Sequence, residues 1–170
     1  MHKFEDYILG ETDDTLLIDR SEDNTLASLM MVKQADRTID IISREMDPVI
    51  YNTPEFAETI KQMVLKNKKS KVRILAHEPT LIVRRGHRLV DLAMQLTSFI
   101  EIRVPSFEHA NYSDSLFIAD TTGYIHRLNP ERYEGKLNFN DKRISRILTH
   151  QFDEIWDKSR SDPNFKRTLL

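Results

Sequence analysis

Ser113-Asp114-Ser115-Leu116-Phe117-Ile118-Ala119-Asp120-Thr121-Thr122-Gly123-Tyr124-Ile125-His126-Arg127-Leu128 is the stretch that decides the fold. Residues 115–119 and 124–128 are short apolar runs that flank Asp120-Thr121-Thr122-Gly123, and this pattern predicts a tight antiparallel hairpin. Upstream the grammar differs. Residues 38–43, 72–76 and 99–104 are rich in β-branched and apolar side chains and predict three strands, the last closed by Pro105. Helical patterns lie between them. Thr53-Pro54 is a capping hydroxyl followed by proline at the first helical position, and Phe56, Ile60, Met63 and Val64 then recur at helical spacing until Asn67. Leu89, Leu92, Ala93 and Leu96 stripe a second helix begun near Gly86.

Strands that alternate with helices require crossovers, so this part predicts a largely parallel sheet covered on both faces. Ser21 or Asn24 can cap an earlier helix through about Ala35, with Leu26, Leu29 and Met30 on one face. A closing helix, about Asp141 to Ser159, carries Ile144, Ile147, Leu148, Phe152, Ile155 and Trp156 along one side. The expected class is α/β, a mixed and mostly parallel sheet with helices on both faces and a late β-hairpin. An acidic N-terminal segment, 1–24, is expected to hold a short hairpin of Tyr7-Ile8-Leu9 against Thr15-Leu16-Leu17-Ile18. Residues 25–170 form a single domain.

The chain's 170 residues, 39% hydrophobic and 31% charged, suit one globular domain with its own core. No apolar run approaches the ~18 residues of a membrane span, and Met1-His2-Lys3-Phe4-Glu5-Asp6 lacks the pattern of a secretory leader. With no cysteine at all, thiolate metal sites and cysteine nucleophiles are excluded, and a cytoplasmic location is expected. Net charge is −2, but it is unevenly spread: residues 1–24 carry eight acids against two bases, and residues 61–88 carry nine bases against Glu78. The basic run suits a solvated helix end and loop, with a patch for an anion or acidic partner as the alternative.

The strand–helix core, the polar loop, the hairpin with aspartate in its turn and the closing helix together resemble one half of the phospholipase D superfamily. That family's signature is His-x-Lys-x-x-x-x-Asp along the first hairpin strand. There the histidine attacks phosphorus, the lysine neutralises phosphate oxygens and the aspartate fixes local geometry. With Asp120 as the signature aspartate, Ser113 stands at the histidine position and Ser115 at the lysine position. No His-x-Lys occurs in the chain. The resemblance therefore implies a degenerate site without catalytic residues. It also implies a homodimer, because two such halves normally meet to form one site.

Four further runs, 42–51, 85–89, 117–124 and 152–159, resemble a proteobacterial family whose members are sometimes joined to, or named after, GNAT-type acetyltransferases. An acetyltransferase partner is implied by that association alone. The chain itself has four glycines and no glycine-rich pyrophosphate turn, so no cofactor is expected.

Ligands of open α/β sheets sit beyond the carboxyl ends of the strands. Arg44 follows the first strand and His77 the second, which makes them candidates to line a pocket; a salt bridge from Arg44 to Asp47 or Asp120 and a surface or capping role for His77 are the alternatives. His87 opens a helix, as an anion ligand or as a cap. Tyr124 and Arg127, three apart on the return strand, point to opposite faces, so one of them is expected inward. His126 shares the face of Tyr124 and is expected to be structural. The candidate ligand-binding set is Arg44, His77, His87, Ser113, Ser115, Asp120 and Arg127. The six histidines lack metal-ligand spacing, and no serine has a Gly-x-Ser-x-Gly setting. The leading expectation is a non-catalytic module that binds a partner protein or small anionic ligand. A nucleic-acid-binding domain using residues 61–88 is the second, and an enzyme with an unrecognised phosphodiester site the third.

Overall fold

The computed structural model describes residues 3–166, so the outermost residues of both assigned segments, with His2, lie outside it. In chain order the main elements are β1 (Leu16–Ile18), α1 (Ser21–Gln34), β2 (Thr38–Ile42), α2 (Pro48–Tyr51), α3 (Pro54–Lys66), β3 (Lys71–Leu75), α4 (Pro79–Arg85), α5 (Arg88–Gln95), β4 (Ile100–Arg103), β5 (Ser115–Ala119), β6 (Gly123–Arg127), β7 (Gly135–Asn138) and α6 (Lys142–Lys158). Local chemistry explains several starts. Thr53 accepts the Phe56 N–H through its hydroxyl ahead of Pro54, and Asp141 accepts the Ile144 N–H. Asp47, which seems in sequence only to break the chain with Pro48, caps the single turn α2 by accepting the Val49 N–H.

All seven strands join one sheet in the order β1-β7-β6-β5-β2-β3-β4. The three crossover strands β2, β3 and β4 are parallel, while the β2–β5, β5–β6, β6–β7 and β1–β7 ladders are antiparallel. The sheet is therefore mixed as expected, but its parallel part is smaller than the sequence pattern implied. Strand β7 went unread because Gly-Lys-Leu-Asn has little apolar signal. It also takes the partner expected elsewhere. Leu16–Ile18 does form a strand, but it pairs with β7 rather than with residues 7–9, so the N-terminal segment belongs to the main sheet. The boundary at 24 falls inside α1, whose N-cap position is Arg20, without a side-chain cap, rather than Ser21 or Asn24.

The sheet divides the core in two. One face packs Ile39, Ile41, Ile74, Phe117 and Ile125 with α1, α3 and α5, and the other packs Ile42, Leu116, Ile118 and Tyr124 beneath Leu148, Phe152, Ile155 and Trp156 of α6. Ile147, expected on that stripe, is 45% exposed. Helix α6 is also tied down electrostatically. Arg73 on β3 bridges buried Asp40, at 2.8 Å, to Asp153 on α6, at 2.9 Å, and lies 4.7 Å above the Phe152 ring. Burial raises the Asp40 carboxyl above its ordinary range, with Arg73 opposing. Among the described residues no helix is long and apolar enough to cross a membrane.

Candidate ligand cleft

Strand β5 runs antiparallel to β2, with Leu116 opposite Ile42, so Ser115 arrives beside Ser43 at the carboxyl end of β2. Strand β6 then places Arg127 opposite Ser115. Together with Arg44, Glu45, Asp47, Pro48, Pro130 and Glu131 these residues line a cleft of about 200 Å³. Its position at the strands' carboxyl ends is where open α/β sheets hold ligands.

Arg127 dominates the cleft floor. Only 3% of it is exposed, and its guanidinium lies 4.8 Å from the Tyr133 ring. Its Nε donates to the Arg132 carbonyl at 2.8 Å and its Nη2 to the Pro130 carbonyl at 3.1 Å. The third nitrogen, Nη1, lies 4.0 Å from an Asp47 carboxylate oxygen, too far for a hydrogen bond. A guanidinium removed from water needs a well-placed anion, and this one meets its carboxylate at the limit of contact. The Ser115 hydroxyl, on a residue 6% exposed, has no hydrogen-bond partner among the described residues. Ser43 accepts the Asp47 N–H at 3.0 Å, which leaves its hydroxyl proton free to donate. Behind the floor, burial pushes the Tyr51 phenol well above its usual range, with Arg127 opposing and Asp47 reinforcing the shift.

Arg44 contributes charge to the rim. Its expected ion pair with Asp47 or Asp120 does not form; instead Nη2 donates to the Ala110 carbonyl at 2.9 Å and the Tyr112 carbonyl at 3.2 Å, holding down the loop before β5. His77 lies against that loop, with Nε2 donating to the His109 carbonyl at 3.2 Å and Nδ1 buried without a partner. Burial lowers its pKa.

Three other candidates stand away from the cleft floor. Ser113 is exposed on the loop. His87 caps α5: its Nδ1 accepts the Leu89 N–H at 3.1 Å and its Nε2 donates to the Met46 carbonyl at 2.8 Å. Both ring nitrogens are thus spent within the protein, and burial holds the ring below its ordinary pKa. Asp120 sits at the far end of β5, about 16 Å along the strand from Ser115 at ~3.3 Å per residue. There its carboxylate accepts the backbone N–H groups of Asp36, Arg37 and Thr38 at 2.8–2.9 Å.

The structure thus gathers Arg44, Ser115 and Arg127, and does not bring His87 or Asp120 to them. It adds Ser43, Tyr51 and Glu131, and also Asp47, which sequence reasoning named only as a partner for Arg44. Asp47 had a readable signal, since Asp-Pro is a helix-start pair in the loop after β2. Asn24 and Ser28 on α1 had none: they are buried beneath Arg127, and Asn24 donates to the Tyr133 carbonyl at 3.0 Å. His126 is half-buried and bonded to Asp114 at 2.8 Å, a local tie across the hairpin. Neither Ser113 nor Ser115 is hydrogen-bonded to a histidine among the described residues; the Ser106 hydroxyl lies 3.5 Å from His109 Nδ1 on the loop before β5. Among those residues, no three His, Asp or Glu side chains converge as a metal site. A larger groove of about 760 Å³ lies on the β1 side, between exposed Leu17 and Leu128.

The fold is a phospholipase D-like α/β fold. Over 88% of this chain it resembles Nuc, a phospholipase D family member from Salmonella typhimurium, with TM-score 0.59, 13% identity and 99% of Nuc covered. NucT from Helicobacter pylori is similar over 88% of this chain and 99% of its own, with TM-score 0.60 and 11% identity. TrmBL2, an archaeal chromatin protein described as having a novel mode of DNA binding, gives TM-score 0.66 at 18% identity over 87% of this chain. The chain spans about half, 53%, of TrmBL2. At such identities these likenesses establish the fold. No curated protein matches the chain. By sequence, the chain belongs to the family described as a domain of unknown function (DUF7931), which matches residues 20–168.

Proposed function

We propose that this domain is a non-catalytic phospholipase D-like module that binds a small anionic ligand in the cleft formed by Ser43, Arg44, Ser115 and Arg127. One observation carries the reading: a buried guanidinium whose Nη1 makes no hydrogen bond among the described residues lies directly across the hairpin from Ser115, whose hydroxyl also has no partner there. Both are donors to an anion, and neither is a nucleophile with a base beside it. Ser113 and Ser115 occupy the positions where catalytic members carry histidine and lysine, so binding persists here without phosphoryl transfer.

The test pairs two measurements on the whole chain. Bis-p-nitrophenyl phosphate should show no turnover above a boiled control, while inorganic phosphate or acetate should shift the backbone amide resonances of Ser43 and Ser115. Turnover that survives repeated purification and is lost in Ser115→Ala would sink the non-catalytic reading. A homodimer and an acetyltransferase partner belong to this proposal on the strength of the family resemblance, and a bacterial cytoplasmic location on the composition of the chain, which has no cysteine. Sedimentation as a monomer at micromolar concentration would remove the dimer.

A second reading, nucleic-acid binding, draws on the likeness to TrmBL2 and on Lys66, Lys68 and Lys69, exposed without salt bridges among the described residues. Against it, the basic run does not form one patch. These lysines lie near the amino end of β3, whereas Arg84, Arg85 and Arg88 lie after its carboxyl end, where Arg85 pairs with Glu45 at 2.9 Å. A mobility shift that weakens steeply with salt would favour this reading over the first.

A further inference from the structure

The charges around the cleft are not those of a plain anion site. Alongside Arg44 and Arg127 stand three carboxylates, Glu45, Asp47 and Glu131. Two of them are already engaged. Glu45 pairs with Arg85 at 2.9 Å, and Asp47 takes the Val49 N–H at 3.0 Å while facing Arg127 at 4.0 Å. Glu131 differs: it is exposed on the rim and forms no ion pair among the described residues. Among the described residues, one small cleft therefore presents donors without a protein partner on its floor and a carboxylate without an ion pair at its mouth. A multiply charged anion would meet repulsion from those acids, and a simple cation would meet the buried guanidinium. The volume, about 200 Å³, lies below the ~300–1,000 Å³ of sites for drug-sized molecules.

We propose that the cleft takes a small zwitterion, with its anionic group on Arg127 and Ser115 and its ammonium group toward Glu131. This rests on the anion-binding reading above and narrows it. The strand register places Arg127 opposite Ser115, so a cation remains at the floor although position 115 itself carries none. Glu131 is held beside it by the turn after β6, where the Glu131 N–H donates to the Asn129 side chain at 2.9 Å and the Pro130 carbonyl accepts from Arg127. The acid that recognises the ammonium and the base that recognises the anion are thus joined through one short loop.

Titrations followed by amide resonances test this with four probes: inorganic phosphate, ethanolamine, O-phosphoethanolamine and glycine. At least one zwitterion should bind about tenfold more tightly than phosphate or ethanolamine alone, since it adds a second charge-assisted contact. The choice between glycine and O-phosphoethanolamine identifies the anionic group as carboxylate or phosphate. Glu131→Gln, an exposed and structurally mild change, should remove the advantage of the zwitterion over phosphate, because it takes away both the partner of the ammonium group and part of the repulsion that phosphate meets. Equal affinities for phosphate and O-phosphoethanolamine, with glycine no tighter, would overturn the zwitterion while sparing the anion site. No response at Ser43 or Ser115 to any probe would overturn both.

Discussion

Asp120 shows how one side chain can hold a fold together far from any ligand. Its backbone adopts φ +53°, in the left-handed region that aspartate tolerates better than most residues. From there its carboxylate collects three successive N–H groups in the turn between α1 and β2. Replacing it with alanine strands those donors and keeps the unfavourable φ. We expect Asp120→Ala to destabilise the domain by about 2–3 kcal/mol in urea unfolding, with phosphate or acetate shifts at Ser43 and Ser115 unchanged. An altered response in the cleft with stability intact would place Asp120 in the site instead. Sequence reasoning placed Asp120 in the hairpin turn and among the ligand-binding candidates; what its carboxylate holds depends on what the chain brings next to it.

At the scale of elements, register decides more than pattern does. Tyr124–Leu128 taken as the return strand would set Leu128 against Ser115; the structure starts the strand at Gly123 and sets Arg127 there. A one-residue slip exchanges faces along a whole strand, so this single step determines whether a cation or an apolar side chain reaches the cleft. Tyr124 and Arg127 do lie on opposite faces, but both are buried, because α6 covers one face and α1 with α2 the other. Gly135 helps hold this arrangement. A Cβ there would lie 2.6 Å from the His126 carbonyl oxygen and 2.8 Å from Cγ of Arg127. Gly135→Ala should therefore push β7 away from β6, with a cost of about 1–3 kcal/mol and weakened amide protection along β1 and β7. Wild-type stability in that variant would show that the two strands separate freely. The buried face of α1 is a further case: Leu26 and Met30 are only half-buried, while Asn24 and Ser28 are inside, because the helix turns toward the polar underside of Arg127.

For the molecule as a whole, buried His87 and half-buried His77 predict how stability varies with pH. Burial lowers the pKa of both His77 and His87 from 6.5. A histidine depressed in the folded state binds fewer protons there than in the unfolded chain, so its contribution is complete above about pH 6.5. It declines as pH falls through the lowered folded value. Protonating His87 would also turn Nδ1 from an acceptor into a donor facing the Leu89 N–H. Thermal melts should therefore fall as pH drops below 6.5. His87→Asn, which keeps a capping acceptor without titrating, should make that decline shallower; an identical pH slope would assign the loss elsewhere.

The linear chain by itself determined the alternation of strands and helices between residues 38 and 104, the cap at Thr53, the late hairpin and a closing helix from about Asp141. These follow from periodicity, side-chain chemistry and spacing, all properties of neighbours in sequence. Only the tertiary structure decided that β1 pairs with β7, that the basic run splits between two ends of the sheet, and that Arg127 meets Ser115 over a floor built from α1 and α2. The physical reason is that pairing partners, register and burial arise from contacts between residues tens of positions apart, where a buried charge or an unpartnered hydroxyl acquires meaning only from what closes around it.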